Sequence, residues 1–123
     1  HGFEITAIPI RHTAQSLGYR ICAGNGVLAL SGDADTCEEL VDLARNADVF
    51  VCDCSAPDER KVDGHLTPGL AGGYAERAAA RELVLTHFYP ECDGYDLSAE
   101  ARAHYRGKIT LATDLLRLPV GGS

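Results

Sequence analysis

Three apolar runs in this 123-residue chain stop at a residue able to bind a metal ion or move a proton. FEITAIPI (3–10) leads into Arg11-His12, GVLALSG (26–32) into Asp33, and LVLT (83–86) into His87. Two imidazoles and a carboxylate make a nitrogen/oxygen donor set of the kind zinc and similar metals take. A second group lies between them. Asp53 interrupts an apolar strand in CDCS, and a buried acid is costly without a partner. His65, in GHLTP, is the candidate partner, because a carboxylate can orient an imidazole and equip it as a general acid. Each residue also has a plainer reading. His12 and His87 fit as solvated strand-end residues, Asp33 as turn chemistry before a helix, and Asp53 as a loop cap. Asp35 and Thr36 already supply that helix with a cap, which leaves Asp33 surplus.

The elements that must position these residues follow from periodicity and turn chemistry. GYRICA (18–23) and GVLALSG (26–32) read as strands joined by a Gly24-Asn25-Gly26 hairpin turn. Thr36-Cys37-Glu38-Glu39 has capping-box spacing, and Leu40, Leu43 and Ala44 recur at helical intervals up to Asn46. DVFVCDC (48–54) reads as a buried strand. After a polar loop, Thr67-Pro68 opens a helix to about Ala80, weakened by Gly69, Gly72 and Gly73. RELVLT (81–86), a helix from Asp96 to about Tyr105, and KITLAT (108–113) complete the order. A hairpin followed by βαβαβαβ predicts a layered α/β domain. In such sheets ligands gather beyond the carboxyl ends of the strands, where His12, Asp33 and His87 fall.

Composition narrows the classes. Hydrophobic residues make up 46% of the chain, enough for a core. No apolar run reaches the ~18–20 residues of a membrane helix. Eleven basic residues against 18 acids give a formal charge of −7, which disfavours a phosphate-backbone partner. The five cysteines form no paired C-x-x-C array and fit reduced thiols in a cytoplasmic protein. Cys52 or Cys54 as a nucleophile is a further reading, although nothing adjacent marks a lowered thiol pKa. The chain contains no methionine, so a missing N-terminal portion is expected.

RHTAQSLGYRI, LSGDADTCEEL, ADVFVCDCS, GHLTP and LVLTHF, in that order, resemble the C-terminal half of a metallo-β-lactamase-fold hydrolase of the ribonuclease Z-like subgroup. The resemblance covers residues 3–118, and its specificity lies in the ordered set of motifs. It implies one half of an αββα sandwich, with residues 1–123 as the C-terminal half of the domain. A dinuclear site, normally zinc with manganese or iron as alternatives, would lie at the edge between the halves. His12, Asp33 and His87 match its second-half ligands, with Asp33 as the bridge. Asp53 and His65 match the acid–histidine pair beside the metals. The implied reaction is hydrolysis of a phosphodiester or other small ester by a metal-bound hydroxide.

Two departures qualify the resemblance. The first-half His-x-His-x-Asp-His motif is not in this sequence, so the chain holds half a site and is expected to turn over little alone. Only 20 residues separate His12 from Asp33, where tRNA-processing members carry a long arm, and this argues against tRNA as substrate. The subgroup more often has glutamate at Asp53, one methylene longer, so its reach to His65 is a specific question for the structure. The expected partner is the missing half or a second copy of the chain. A non-catalytic binding or assembly module with remnant ligands is the alternative function.

Overall fold

A computed structural model describes residues 2–121. Its six strands form one sheet in sequence order: β1 (Glu4–Pro9), β2 (Leu17–Ala23), β3 (Gly26–Leu30), β4 (Val49–Asp53), β5 (Glu82–Thr86) and β6 (Lys108–Leu111). The first three form an antiparallel meander, and β3 to β6 run parallel. Each parallel step crosses over through a helix: α1 (Glu39–Ala44), α2 (Pro68–Ala78) and α3 (Leu97–Arg102). The layered α/β expectation is therefore met. Because β1 is antiparallel to β2 and β2 to β3, the carboxyl ends of β1, β3, β4, β5 and β6 share one edge.

Alternation along the strands decides which face each side chain takes. Phe50 and Cys52 on β4 pair in register with Leu83 and Leu85 on β5, and all four are fully buried. They meet Leu40 and Leu43 of α1 and Ala71 and Ala75 of α2 in one core. Full burial of a leucine or phenylalanine there stabilises the fold by about 1.5–3 kcal/mol. The opposite face carries no helix. Val49 and Val84 are nonetheless buried on it, and the chain beyond β6 returns to set the Val120 carbonyl against Gly26. Toward β1 and β2 this face opens, with Phe3 65%, Ile5 55%, Leu17 41% and Tyr19 41% exposed.

Several boundaries differ from the sequence expectation. The capping box before α1 does not form, and Glu38 occupies the cap position with no side-chain capping bond. Glu38 instead pairs with Arg77 of α2 at 2.7 Å, and Asp35 turns toward another loop. Thr67 does cap α2, accepting from the Leu70 N–H, and Asp96 caps α3. The helix α2 stops at Ala78 because Ala79 adopts a left-handed conformation.

Candidate metal centre

The strand edge brings all five sequence-selected residues together. Asp53 is the last residue of β4, and His87 follows β5 directly. His87 has φ +69, a backbone conformation uncommon outside glycine, and it turns the ring back over the strand tips. Such strain concentrates at functional sites. His12 and Asp33 lie three residues beyond β1 and β3, and His65 sits two residues before the cap of α2. The ring centroids of His12 and His65 are 4.9 Å apart, and those of His65 and His87 5.4 Å. Leu30, Asp33, Asp53 and His87 border a cavity of about 310 Å³. A larger cavity of about 540 Å³ lies over α2 at Tyr74, Arg77 and His104 and touches none of the five. The smaller one marks the site, because Asp33, Asp53 and His87 of the five line it.

Asp33 is the meeting point. Its Oδ2 lies 3.6 Å from His12 Nε2 and its Oδ1 3.4 Å from His87 Nε2. The far sides of both rings are already engaged. His12 Nδ1 is 2.8 Å from the Gly64 carbonyl, which can only accept, so that nitrogen carries the proton. His87 Nδ1 is 2.8 Å from the Ser55 hydroxyl. Two imidazole nitrogens thus point at two carboxylate oxygens. That arrangement is favourable only if the rings carry second protons or a cation lies between the groups. The donor set and its direction fit a zinc, manganese or iron ion held by His12, Asp33 and His87. Three ligands are fewer than a two-metal site takes.

Asp53 and His65 form the inner layer. His65 Nδ1 donates to Asp53 Oδ2 at 2.8 Å, so the shorter acid does reach. The same oxygen accepts from the Ala34 N–H at 3.0 Å, while Oδ1 accepts from the Ser55 hydroxyl at 2.7 Å. The carboxylate is buried, and these three donors offset its desolvation. Asp53, His65 and His87 also bring one ligand atom each within 4.8 Å of one another. Both Asp53 oxygens accept hydrogen bonds, however, so this trio reads as a relay, and the outer set is the candidate for coordination. Tyr89, whose hydroxyl is 3.2 Å from His65 Nε2, closes the far side of that ring.

The sequence reading missed the supports. Asp35, expected as a helix cap, receives the Gly64 N–H at 2.7 Å and the Lys61 ammonium at 3.0 Å. Burial alone would raise its pKa, but the Lys61 bond and the Thr36 and Gly64 amides outweigh this and hold it below its ordinary value. Asp35 thereby tethers the loop that offers the Gly64 carbonyl to His12. Gly64 has φ +87, and a side chain there would meet the His12 ring at 3.2 Å. The pairing of Gly64 with His65 in GHLTP was the available signal. The thiol reading is not supported: burial raises the pKa of both Cys52 and Cys54, the opposite of an activated nucleophile.

Comparison with known proteins places this geometry. A protein of Mycobacterium leprae without assigned function is 41% identical over 104 residues, covering 81% of this chain and 36% of its own length. The ribonuclease Z of Streptomyces avermitilis is 39% identical over 95 residues, covering 72% of this chain and 31% of the enzyme. The crystal structure of the metallo-β-lactamase-fold protein YhfI from Bacillus subtilis superposes with a TM-score of 0.83 at 26% identity, over 89% of this chain and 46% of YhfI. The chain therefore spans about a third of these two curated relatives and just under half of YhfI. The family model for the beta-lactamase superfamily domain matches residues 1–88 and ends one residue past His87. With the sheet, the strand-edge cluster and the family model in agreement, the chain belongs to the beta-lactamase superfamily domain family and has the metallo-β-lactamase fold.

Proposed function

We propose that this chain is the C-terminal half of a metal-dependent hydrolase acting on a phosphodiester or another small ester. The observation that carries the reading is the pair of Nε2 atoms, on His12 and His87, each facing one oxygen of Asp33. In this reading the three residues contribute to a site for two zinc ions, with manganese or iron as alternatives. Bound there, such ions would supply an activated water and polarise the scissile group. Asp53 holds His65 in line through Nδ1, and His65 would protonate the leaving oxygen from Nε2 once the Tyr89 hydroxyl, 3.2 Å from that nitrogen, gives way to substrate. The similarity to a ribonuclease Z supports a phosphodiester. tRNA is not proposed, because β2, β3 and their tight turn fill the stretch between His12 and Asp33 where an arm would sit.

The open apolar face of β1 and β2 supports a packing partner, assigned here to the N-terminal half of the same protein. That half would bring the remaining ligands. Among the described residues no helix is long and apolar enough to cross a membrane, and the five cysteines are free thiols, which suits a cytoplasmic location. The test is zinc content and ester hydrolysis of the full-length protein and its His87→Ala variant. Metal and activity should fall together, and unchanged zinc content would refute the assignment. The exposed face also favours a second reading, a non-catalytic module that pairs with a second copy of itself. Light scattering on the isolated chain separates the two: a monomer removes the self-pairing reading.

A further inference from the structure

We infer that Ser55 is a positioning residue that sets which nitrogen of His87 carries the proton. Ser55 is fully buried, and its hydroxyl lies between two partners, Asp53 Oδ1 at 2.7 Å and His87 Nδ1 at 2.8 Å. A serine hydroxyl has one proton to give. A carboxylate offers only lone pairs, so that proton goes to Asp53. The hydroxyl oxygen is then left to accept, and the donor facing it must be His87 Nδ1–H. Nε2 is thereby stripped of its proton on the side that faces Asp33 at 3.4 Å.

The backbone of Ser55 makes this assignment rigid. Its N–H donates to the Leu66 carbonyl at 3.1 Å, next to His65, and its carbonyl accepts from the Tyr89 N–H at 3.0 Å, two residues past His87. Ser55 therefore clamps the two segments that bring the histidines, and its side chain then orders the proton on one of them. Asp53 becomes the common anchor of both rings, holding His65 directly through Oδ2 and His87 through the serine from Oδ1. His12 reaches the same tautomer by a different device, the Gly64 carbonyl. The consequence for coordination rests on the metal-site reading above. The tautomer does not.

The experiment is long-range ¹H–¹⁵N spectroscopy of the histidines in the full-length protein after metal removal, above the imidazole titration range. The wild-type protein and Ser55→Thr should show His87 protonated at Nδ1, and Ser55→Ala should shift it wholly or largely to Nε2. Zinc affinity, measured on the same samples, should fall about 10–100-fold in Ser55→Ala and recover in Ser55→Thr, the range seen when an outer-shell partner is lost. A wild-type His87 protonated at Nε2 would overturn the inference without any variant, as would an unchanged tautomer in Ser55→Ala. Should the tautomer follow the serine while no variant, nor the wild type, binds zinc, the positioning role stands and the metal reading falls.

Discussion

Asp53→Asn tests whether one buried carboxylate organises the site. The replacement is isosteric, so no cavity opens and the change is confined to hydrogen bonding. Asp53 accepts from Ala34 N–H and His65 Nδ1–H at Oδ2 and from Ser55 at Oδ1. An asparagine NH₂ placed at the Oδ2 position would face two donors, so it must turn toward Ser55. The serine hydroxyl can then reverse, accepting from the amide and donating to His87 Nδ1. The remaining amide oxygen still serves Ala34 and His65, but without charge. Bonds to charged groups contribute about 1.5–3 kcal/mol and neutral ones about 0.5–1.5, so two weakened bonds remove roughly 2–3 kcal/mol. With urea slopes of about 1–3 kcal/mol/M, the unfolding midpoint of the metal-stripped protein should drop by about 1 M. Ester hydrolysis should fall about 10²–10⁴-fold, the range for losing an oriented general acid. Asp33→Asn is the control: that side chain is 47% exposed, and its removal should change metal-free stability by no more than ~0.5 kcal/mol. An Asp53→Asn protein with the wild-type midpoint and wild-type turnover would refute the reasoning, because the charge would then be holding nothing.

Other perturbations probe the supports. The Asp35 pKa is held below its ordinary 3.8, so its stabilisation is complete above that value and is lost as pH falls through the folded pKa. Urea midpoints taken above and below pH ~4 should fall less steeply with acid in Asp35→Asn than in wild type, and equal slopes would count against the tether. Gly72→Ala would set a methyl 2.7 Å from the Ala101 carbonyl and should destabilise by about 1–3 kcal/mol. Gly73→Ala, one position along the same helix with nothing within 4 Å, should stabilise by about 0.5–1 kcal/mol. Denaturant titration of the pair reads the difference in sign. Alkylation of the native protein at pH ~8 followed by peptide mass mapping should label Cys22 and Cys37 well before Cys52 and Cys54, whose burial raises their pKa.

What the sequence made legible was whatever an abrupt change along the chain can mark. His12, Asp33 and His87 stand out because each follows an apolar run, and strand direction then carries all three to one edge. The Asp53–His65 pair was legible as a question of reach. The answer, 2.8 Å, depends on the path of a long loop that no local pattern fixes. Asp35 and Ser55 were not legible, for opposite reasons. Asp35 sits where local turn chemistry offers a complete explanation as a helix cap, and only the loop at Lys61 and Gly64, far along the chain, draws it away. Ser55 follows a strand in a position where serine is ordinary, and its role exists only through two partners from different segments.

The polar network itself identifies the point where chemistry belongs. Among the described residues no buried side-chain nitrogen or oxygen lacks a hydrogen-bond partner. Asp53, Ser55, His65 and the Nδ1 sides of His12 and His87 each match a donor to an acceptor. The pattern changes at Asp33, the most exposed of the five, where two ring nitrogens meet two oxygens at 3.4–3.6 Å. A structure loosely specified around its polar groups would show mismatches scattered through the core. Here the matching is complete inward of the site, and at its mouth two ring nitrogens face a carboxylate beyond the usual hydrogen-bond distance. That is the gap the proposed cation would fill.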